Sequence, residues 1–414
     1  MRFSSSNFDE PIILPASSLC ESIFDGTHDS PKQQEFGFKL VTSRHIKANK
    51  ILLEEAYFIS EEDYLKINKR SRLQIGDVLF TMIGTVGEVC RVATEPDFAI
   101  KNIGVFRPAE SSDSAWIYYY LLSPEGRKSI DAAKRGTTQQ FMGLKELREF
   151  PFIFPKDSRY RQKQMQILEQ IDAKIEANRK ISRTLEEIAQ TIFKSWFIDF
   201  DPVKAKMAGK KPAGMDAATA ALFPDSMEES ELGLIPSGWE LKKVEEMLTR
   251  ITVKGLPKST VLLNLGRTLV LEQGDSVIAG FIDEDADVKA TNYSPAFVFG
   301  DHTCRMRLST MPFSIFPNTI VLTSELINTY WAFGATWGIQ KFETYRRHWM
   351  ELAYKVLVVP NTEVANVYGE QVKPFFELID SLMVQNRVLS ALRDDLLPRL
   401  ISGELKIPED MLAS

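Results

Sequence analysis

The chain has 414 residues, 44% of them hydrophobic and 26% charged, an ordinary composition for folded protein and enough length for two or three domains. A net charge of −6 argues against a protein that coats nucleic acid through bulk electrostatics. No apolar run approaches bilayer length and the first residues open no signal peptide; three cysteines without metal-ligand spacing read as reduced core residues of a cytoplasmic protein.

Residues 1–155 carry 19 basic and 21 acidic side chains and mix short strands with helices, an α+β pattern. Strands are expected at 78–83, 87–92, 103–106 and 150–154, and helices at 115–122 and 123–133. A long helix is expected within 156–200, where Leu168, Ile171, Ile175, Asn178, Ser182, Leu185, Ala189, Ile192 and Trp196 follow alternating steps of three and four. Residues 201–238, rich in Lys, Ala, Gly and Pro at their start, read as a mobile linker. The next segment, 239–360, is again neutral with 13 basic and 13 acidic side chains. It predicts strands at 261–265, 276–282, 319–323 and 355–359 and a helix near 324–333. A second long helix falls within 361–414, with Phe376, Ile379, Met383, Asn386, Ser390, Arg393, Leu397 and Leu400 in its seam. Arg393 and Pro398 weaken that seam, and Pro398 is expected to kink or restart the helix.

The two helices are copies. Residues 379–401 align with 171–193 without a gap, 208 positions on, matching Ile171-Asp172 with Ile379-Asp380, Asn178-Arg179 with Asn386-Arg387, and Ser182 with Ser390. Two copies at a long period imply a pseudo-twofold molecule. The paired asparagines occupy the same seam position, where a polar residue acts as a register device. The globular segments are far less alike, sharing only a local pattern: Gln139-Gln140-Phe141 and Gln340-Lys341-Phe342 each precede a final strand.

Catalytic signals are missing. The sequence has no phosphate-binding loop, no dinucleotide fingerprint, no Asp/Asn-Pro-Pro-aromatic methyltransferase motif and no serine-nucleophile elbow, and its four histidines lack zinc spacing. Several polar loops instead carry groups that read base edges, since Gln is bidentate to adenine and Arg to guanine. The candidates are Thr27 and His28 in the loop 25–31, Ser43 and Arg44, Lys101 and Asn102, and Arg135, Thr137, Thr138, Gln139 and Gln140. In the second half they are Gln340, Lys341, Arg346 and Arg347.

The stretches 25–31, 76–92, 136–155, 192–209, 234–240 and 396–405 together resemble the specificity (S) subunit of type I restriction–modification enzymes, and the resemblance covers essentially the whole chain. The resemblance implies two target-recognition domains separated by two long antiparallel helices in a pseudo-twofold arrangement. Each domain would read one half of a split DNA target, and the helices would set the spacer between the halves. The expected partners are double-stranded DNA, two copies of a methyltransferase subunit and, through the complex, restriction subunits, with no membrane. No cofactor, catalytic residue or metal is expected in this chain; S-adenosylmethionine, ATP and Mg would sit on the partner subunits. The second globular segment departs from the family pattern, with no evident counterpart of residues 76–92. The competing reading is a stand-alone coiled-coil scaffold that binds proteins through its globular halves.

Overall fold

The computed structural model describes residues 12–136, 140–155, 158–274, 277–405 and 407–408; the opening residues read for a signal peptide and Ser276 lie outside them. The chain gathers into two compact units, one formed by residues 1–173 with 392–414 and the other by 174–391.

In the first unit the strands are β1 (Ile12–Pro15), β2 (Cys20–Asp25), β3 (Phe38–Thr42), β4 (Tyr57–Ile59), β5 (Val78–Thr81), β6 (Val89–Arg91), β7 (Phe98–Lys101), β8 (Ile103–Pro108) and β9 (Pro151–Phe154). An antiparallel sheet runs β2-β8-β5-β6, a smaller sheet runs β4-β3-β7 with β3 and β7 parallel, and β1 pairs with β9. Helix α1 (Glu61–Ser71) lies between β4 and β5, and α2 (Asp113–Leu122) and α3 (Pro124–Ala133) follow β8. Ser123 divides these last two: its hydroxyl accepts the Gly126 N–H at 3.1 Å, and Pro124 starts α3 with no N–H to leave unpaired. Because α2 is apolar almost all round, it is buried; Trp116 and Tyr120 pack with Val78, Phe80, Phe106 and Phe152.

Helix α4 (Ser158–Phe197) comes next, and it is 40 residues long. Residues 201–238 are structured and not a loose tether: they form helices Asp201–Met207 and Ala217–Leu222 and a hairpin of Met227–Ser230 with Gly233–Pro236. Val203, Phe223 and Ile235 are buried, and Phe223 meets Trp196 edge-on at 5.3 Å. Those few apolar residues, spaced through a polar stretch, anchor what composition alone reads as mobile.

The second unit holds β10 (Glu240–Lys243), β11 (Thr249–Ile251), β12 (Thr268–Leu271), β13 (Ile278–Ile282), β14 (Ala296–Gly300), β15 (Met306–Ser309), β16 (Phe313–Ile315), β17 (Thr319–Thr323) and β18 (Val356–Val359), with α5 (Thr329–Thr336) after β17. The sheets run β11-β17-β14-β15 and β13-β12-β16, with β12 and β16 parallel, and β10 pairs with β18. Apart from a short hairpin of Ile46–Lys47 with Lys50–Ile51 in the first unit, the two units share this strand order. The counterpart of 76–92 therefore exists, as β14 and β15. It was hidden because Gly84 and Gly87 of the first turn give way to a polar turn at 301–305. The expected strand at 261–265 is absent apart from a bridge at Leu263, whereas β12, β14, β15 and β16 were not anticipated. Trp331 of α5 is fully buried, as Trp116 is, and packs with Phe297, Phe299 and Leu322.

Helix α6 (Thr362–Ile401) is also 40 residues long and runs unbroken through Pro398, so that proline neither interrupts nor restarts it. The missing N–H of Pro398 leaves the Asp394 carbonyl without its intrahelical donor, a loss of one hydrogen bond that the helix survives. Along both helices the partners count in opposite directions. In the first unit the Gln164 side chain donates to Leu400 O (2.8 Å) and Asp172 pairs with Arg393 (2.8 Å). In the second, Asn178 meets Asn386 and the Tyr368 hydroxyl donates to Ala189 O at 3.2 Å. The helices are antiparallel. Leu168, Ile171, Ile175, Asn178, Ile379 and Leu397 of the expected seam are buried, while Leu185, Ile192 and Met383 are partly buried. Arg393, which looks out of place in an apolar seam, has its charge answered by Asp172 and Asp394.

Candidate nucleic-acid interface

In the first unit, three separate stretches converge where β2 and β7 end. Gly26 runs so close to β7 that a β-carbon there would lie 2.4 Å from Ile100 O, so no other residue fits. The Thr27 N–H donates to Ile100 O at 3.0 Å, and Asn102 takes the left-handed conformation (φ 54°) that turns β7 into β8. His28 bridges the two: Nδ1 lies 2.7 Å from Asn102 Oδ1 and Nε2 lies 3.0 Å from Asp25 Oδ2. Asp25 is buried and its other oxygen accepts from Arg70 of α1 at 2.6 Å. The Ser43 hydroxyl donates to Asn102 O (3.3 Å), and Lys101 Nζ bonds Ser30 Oγ. Thr27, His28, Ser43, Lys101 and Asn102 thus form one polar cluster. Arg44 instead donates to the ring of buried His45 at 3.1 Å. Sequence reading missed Arg70 and Lys66, which a helix pattern presents as ordinary surface charges; Lys66 lies 3.7 Å from Asp29.

A second cluster sits beside the turn between β5 and β6. Arg135 and Phe141 exchange two backbone hydrogen bonds of 2.9 Å, closing a loop whose base is fixed by Met142 N–H on Met82 O. The Arg135 guanidinium pairs with Glu146 at 2.6 Å, and Gln140 is exposed. Thr137, Thr138 and Gln139 lie outside the described residues.

The matching position in the second unit is beside the β14–β15 turn. Here Gln340 Nε2 donates to Glu351 at 2.7 Å, and Arg346 pairs with the same carboxylate at 2.9 Å. Buried His348 bonds Glu351 too, at 3.1 Å, and that contact, reinforced by Arg346, holds the Glu351 carboxyl below its usual range. Arg346 and Gln340 are therefore held by an internal hub, while Lys341 and Arg347 are exposed, the latter 3.7 Å from Asp301. Sequence reading missed an aromatic platform: His302 stacks on Tyr345 at 4.7 Å, and Tyr345 is 77% exposed. It also missed the counterpart of the first cluster. Asn318 (φ 65°) turns β16 into β17 as Asn102 turns β7 into β8, and Leu256 N–H donates to Ile315 O as Thr27 does to Ile100 O. That places Thr252 and Lys254, just after β11, where the first unit has its Asp25–His28 loop. A polar residue followed by a β-branched strand start was the only signal available.

Among the described residues no group of three His, Cys, Asp or Glu side chains is placed to hold a metal. Burial pushes the thiols of Cys20 up to about 12 and of Cys90 up to about 11, which makes them inert.

The comparisons with known proteins agree with this picture. Residues 19–187 match the family model described as the type I restriction modification DNA specificity domain. The chain is 25% identical over 366 residues to the type I restriction enzyme MjaIX specificity subunit of Methanocaldococcus jannaschii, covering 81% of this chain and 78% of that one. It is 26% identical over 314 residues to the HindI specificity subunit of Haemophilus influenzae, covering 60% and 68%. Its fold is similar to the crystal structure of the type I S subunit from M. genitalium, with a TM-score of 0.56 at 14% identity over 96% of this chain and 98% of that one.

Proposed function

We propose that the chain is a specificity subunit of a type I restriction–modification system, a non-catalytic DNA-reading subunit, and that its two halves share the work as follows. Each α+β unit reads one half of a split target. The helices α4 and α6 fix the spacer, and their outer faces dock two copies of a methyltransferase subunit, through which restriction subunits join. S-adenosylmethionine, ATP and Mg belong to those partners, and the complex works in the cytoplasm. Among the described residues no helix is long and apolar enough to cross a membrane.

The observation that carries this reading is the contrast between frame and loops. Two units of the same topology are mounted on duplicated helices, yet their loops at equivalent positions bear different groups: Arg135 and Gln140 in one, the His302–Tyr345 platform with Lys341 and Arg347 in the other. Identical scaffolds with unlike reading edges suit an asymmetric, two-part site. Near-neutral domains suit a complex in which other subunits share the phosphate contacts, so the chain alone is expected to bind DNA weakly and with strong salt dependence.

The test is a methylome of cells expressing the chain with its cognate methyltransferase. A split motif with a fixed spacer is expected; a continuous motif, or methylation without sequence preference, would refute the proposal. Removing one heptad from each helix shortens it by about 10.5 Å, roughly three base steps. The spacer should change while both half-sites stay as they were.

A further inference from the structure

One turn before each duplicated Ile-Asp pair stands a glutamate, so the helices carry the same Glu-x-Ile-Asp signature: Glu169 to Asp172 in α4 and Glu377 to Asp380 in α6. Residues three apart share one helix face. In both copies that face turns its two acids to the adjoining globular domain, with the second oxygen of Asp172 also pairing with Arg393 of α6 at 2.8 Å. In the first unit Glu169 accepts from Arg91 of the outer strand β6 at 2.6 Å, and Asp172 accepts the Tyr119 hydroxyl of α2 at 2.6 Å. In the second, Glu377 accepts from Asn292 at 2.7 Å; Asp380 accepts from Arg307 of the outer strand β15 at 2.7 Å and from both the N–H and the hydroxyl of Thr310 at 2.7 and 2.8 Å.

The donors differ between the units, but the acids and their task do not. Burial, followed by the Asp172 carboxylate, pushes the Tyr119 phenol well above its ordinary range, so it stays a donor at any working pH. Asp380 is buried and saturated by three donors, so its charge has nowhere else to go. A surface ion pair would tolerate loss; a paired set of charge-assisted bonds repeated 208 residues apart fixes an orientation.

We propose that the two Glu-x-Ile-Asp turns are clasps whose four acids are positioning residues: they lock each recognition domain at one angle on its helix and thereby determine how strictly the spacer length is enforced. This rests on the proposed function above and deepens it. Half-site identity is read by the loops; spacer strictness is set by the clasps.

The test uses the full chain in its complex with methyltransferase, with synthetic duplexes whose spacer is the natural length or one base pair longer or shorter. The variants are Glu169→Gln with Asp172→Asn, Glu377→Gln with Asp380→Asn, and Tyr119→Phe, which removes a single clasp donor. Loss of charge-assisted hydrogen bonds should reduce the preference for the natural spacer by about tenfold in each double variant and by less in Tyr119→Phe, with discrimination against single-base changes in the half-sites unaltered. In parallel, spin labels at Lys128 and Gln166 should show a broader distance distribution in the first double variant, a readout that does not depend on DNA. Unchanged spacer preference with an unchanged label distribution would overturn the proposal, as would equal losses of spacer and half-site discrimination. Failure of the wild-type complex to prefer any spacer would overturn the functional reading instead, and the label distances would still report on the clasp.

Discussion

Replacing the central asparagines by leucine should make the protein more stable and less exact. Asn178 is fully buried; its Nδ2 donates to Gln385 Oε1 at 2.6 Å and to Asn386 Oδ1 at 2.9 Å, but its Oδ1 finds no hydrogen-bond partner among the described residues. Two such bonds contribute about 1–3 kcal/mol together, and one stranded buried oxygen costs about 1–3 kcal/mol, so the group is close to neutral. Leucine at both positions removes the stranded atom and adds buried methyl groups at about 0.8 kcal/mol per carbon. The double variant Asn178→Leu with Asn386→Leu should therefore gain about 1–3 kcal/mol. Asn178→Leu alone should lose about 1 kcal/mol, because the half-buried Asn386 is left facing hydrocarbon. Urea unfolding of all four members of the cycle measures this. The methylation assay should then show sites with shifted spacers in the double variant alone, since an all-apolar seam no longer distinguishes one helix alignment from another. A double variant more than about 1 kcal/mol less stable than the wild type would refute the reasoning, for the asparagines would then be net stabilisers and not a register device.

Three further outcomes are expected. Gly126→Ala should destabilise the first unit by about 3 kcal/mol in urea unfolding, since its β-carbon would lie 2.0 Å from Tyr120 O; a change under about 0.5 kcal/mol would show that α2 and α3 separate freely. His45 is buried, and that burial, aided by the Arg44 cation, lowers its pKa from 6.5, so the unfolded chain binds a proton that the folded domain refuses. Its contribution is complete above about pH 6.5 and is lost as the pH falls below that value; titrated unfolding of wild type against His45→Asn should show a steeper acid loss in the wild type. Tyr345→Ala or Arg347→Ala should weaken recognition of one half-site only, by about 1–3 kcal/mol for each base that is no longer read, and an equal weakening at both half-sites in a methylation assay would contradict the assignment.

The elements that sequence reading finds best are those whose periodicity is enforced by a single partner. Helix α4 satisfies its seam from Leu168 to Trp196 and was expected within two residues of its true start, as were α2, α3 and β17. The second unit was harder, because β14 is buried along its whole length: Ala296–Gly300 shows no alternation to separate it from a short helix. The acid clasps were half visible. Ile171-Asp172 and Ile379-Asp380 stood out as identities, but nothing in the sequence says that Tyr119 or Thr310 waits opposite, since those donors lie 53 and 70 positions away. Of the candidate loops, Thr27, His28, Ser43, Lys101 and Asn102 do converge, through an asparagine whose left-handed turn sequence patterns cannot register in space.

The duplication also explains why the helices diverge less than the domains they carry. In an antiparallel pair of copies, positions near the axis meet their own counterparts: Asn178 touches Asn386, which is the same residue 208 positions later. A change there alters both sides of one contact, so it must be compatible with the other copy. Where the fit is poor the cost is visible: burial, followed by the charge of its counterpart Arg179, lowers the pKa of Arg387 below the ordinary arginine range. A domain core faces no such demand. Trp116 and Trp331 fill equivalent places among quite different neighbours, because a strand order can be satisfied by any apolar set of suitable volume. The loops are freer still, bound only to leave their strand ends in place. Sequence constraint therefore falls from the helix axis to the domain core to the reading edge, which is the order required of a frame that keeps its spacing while its two readers change.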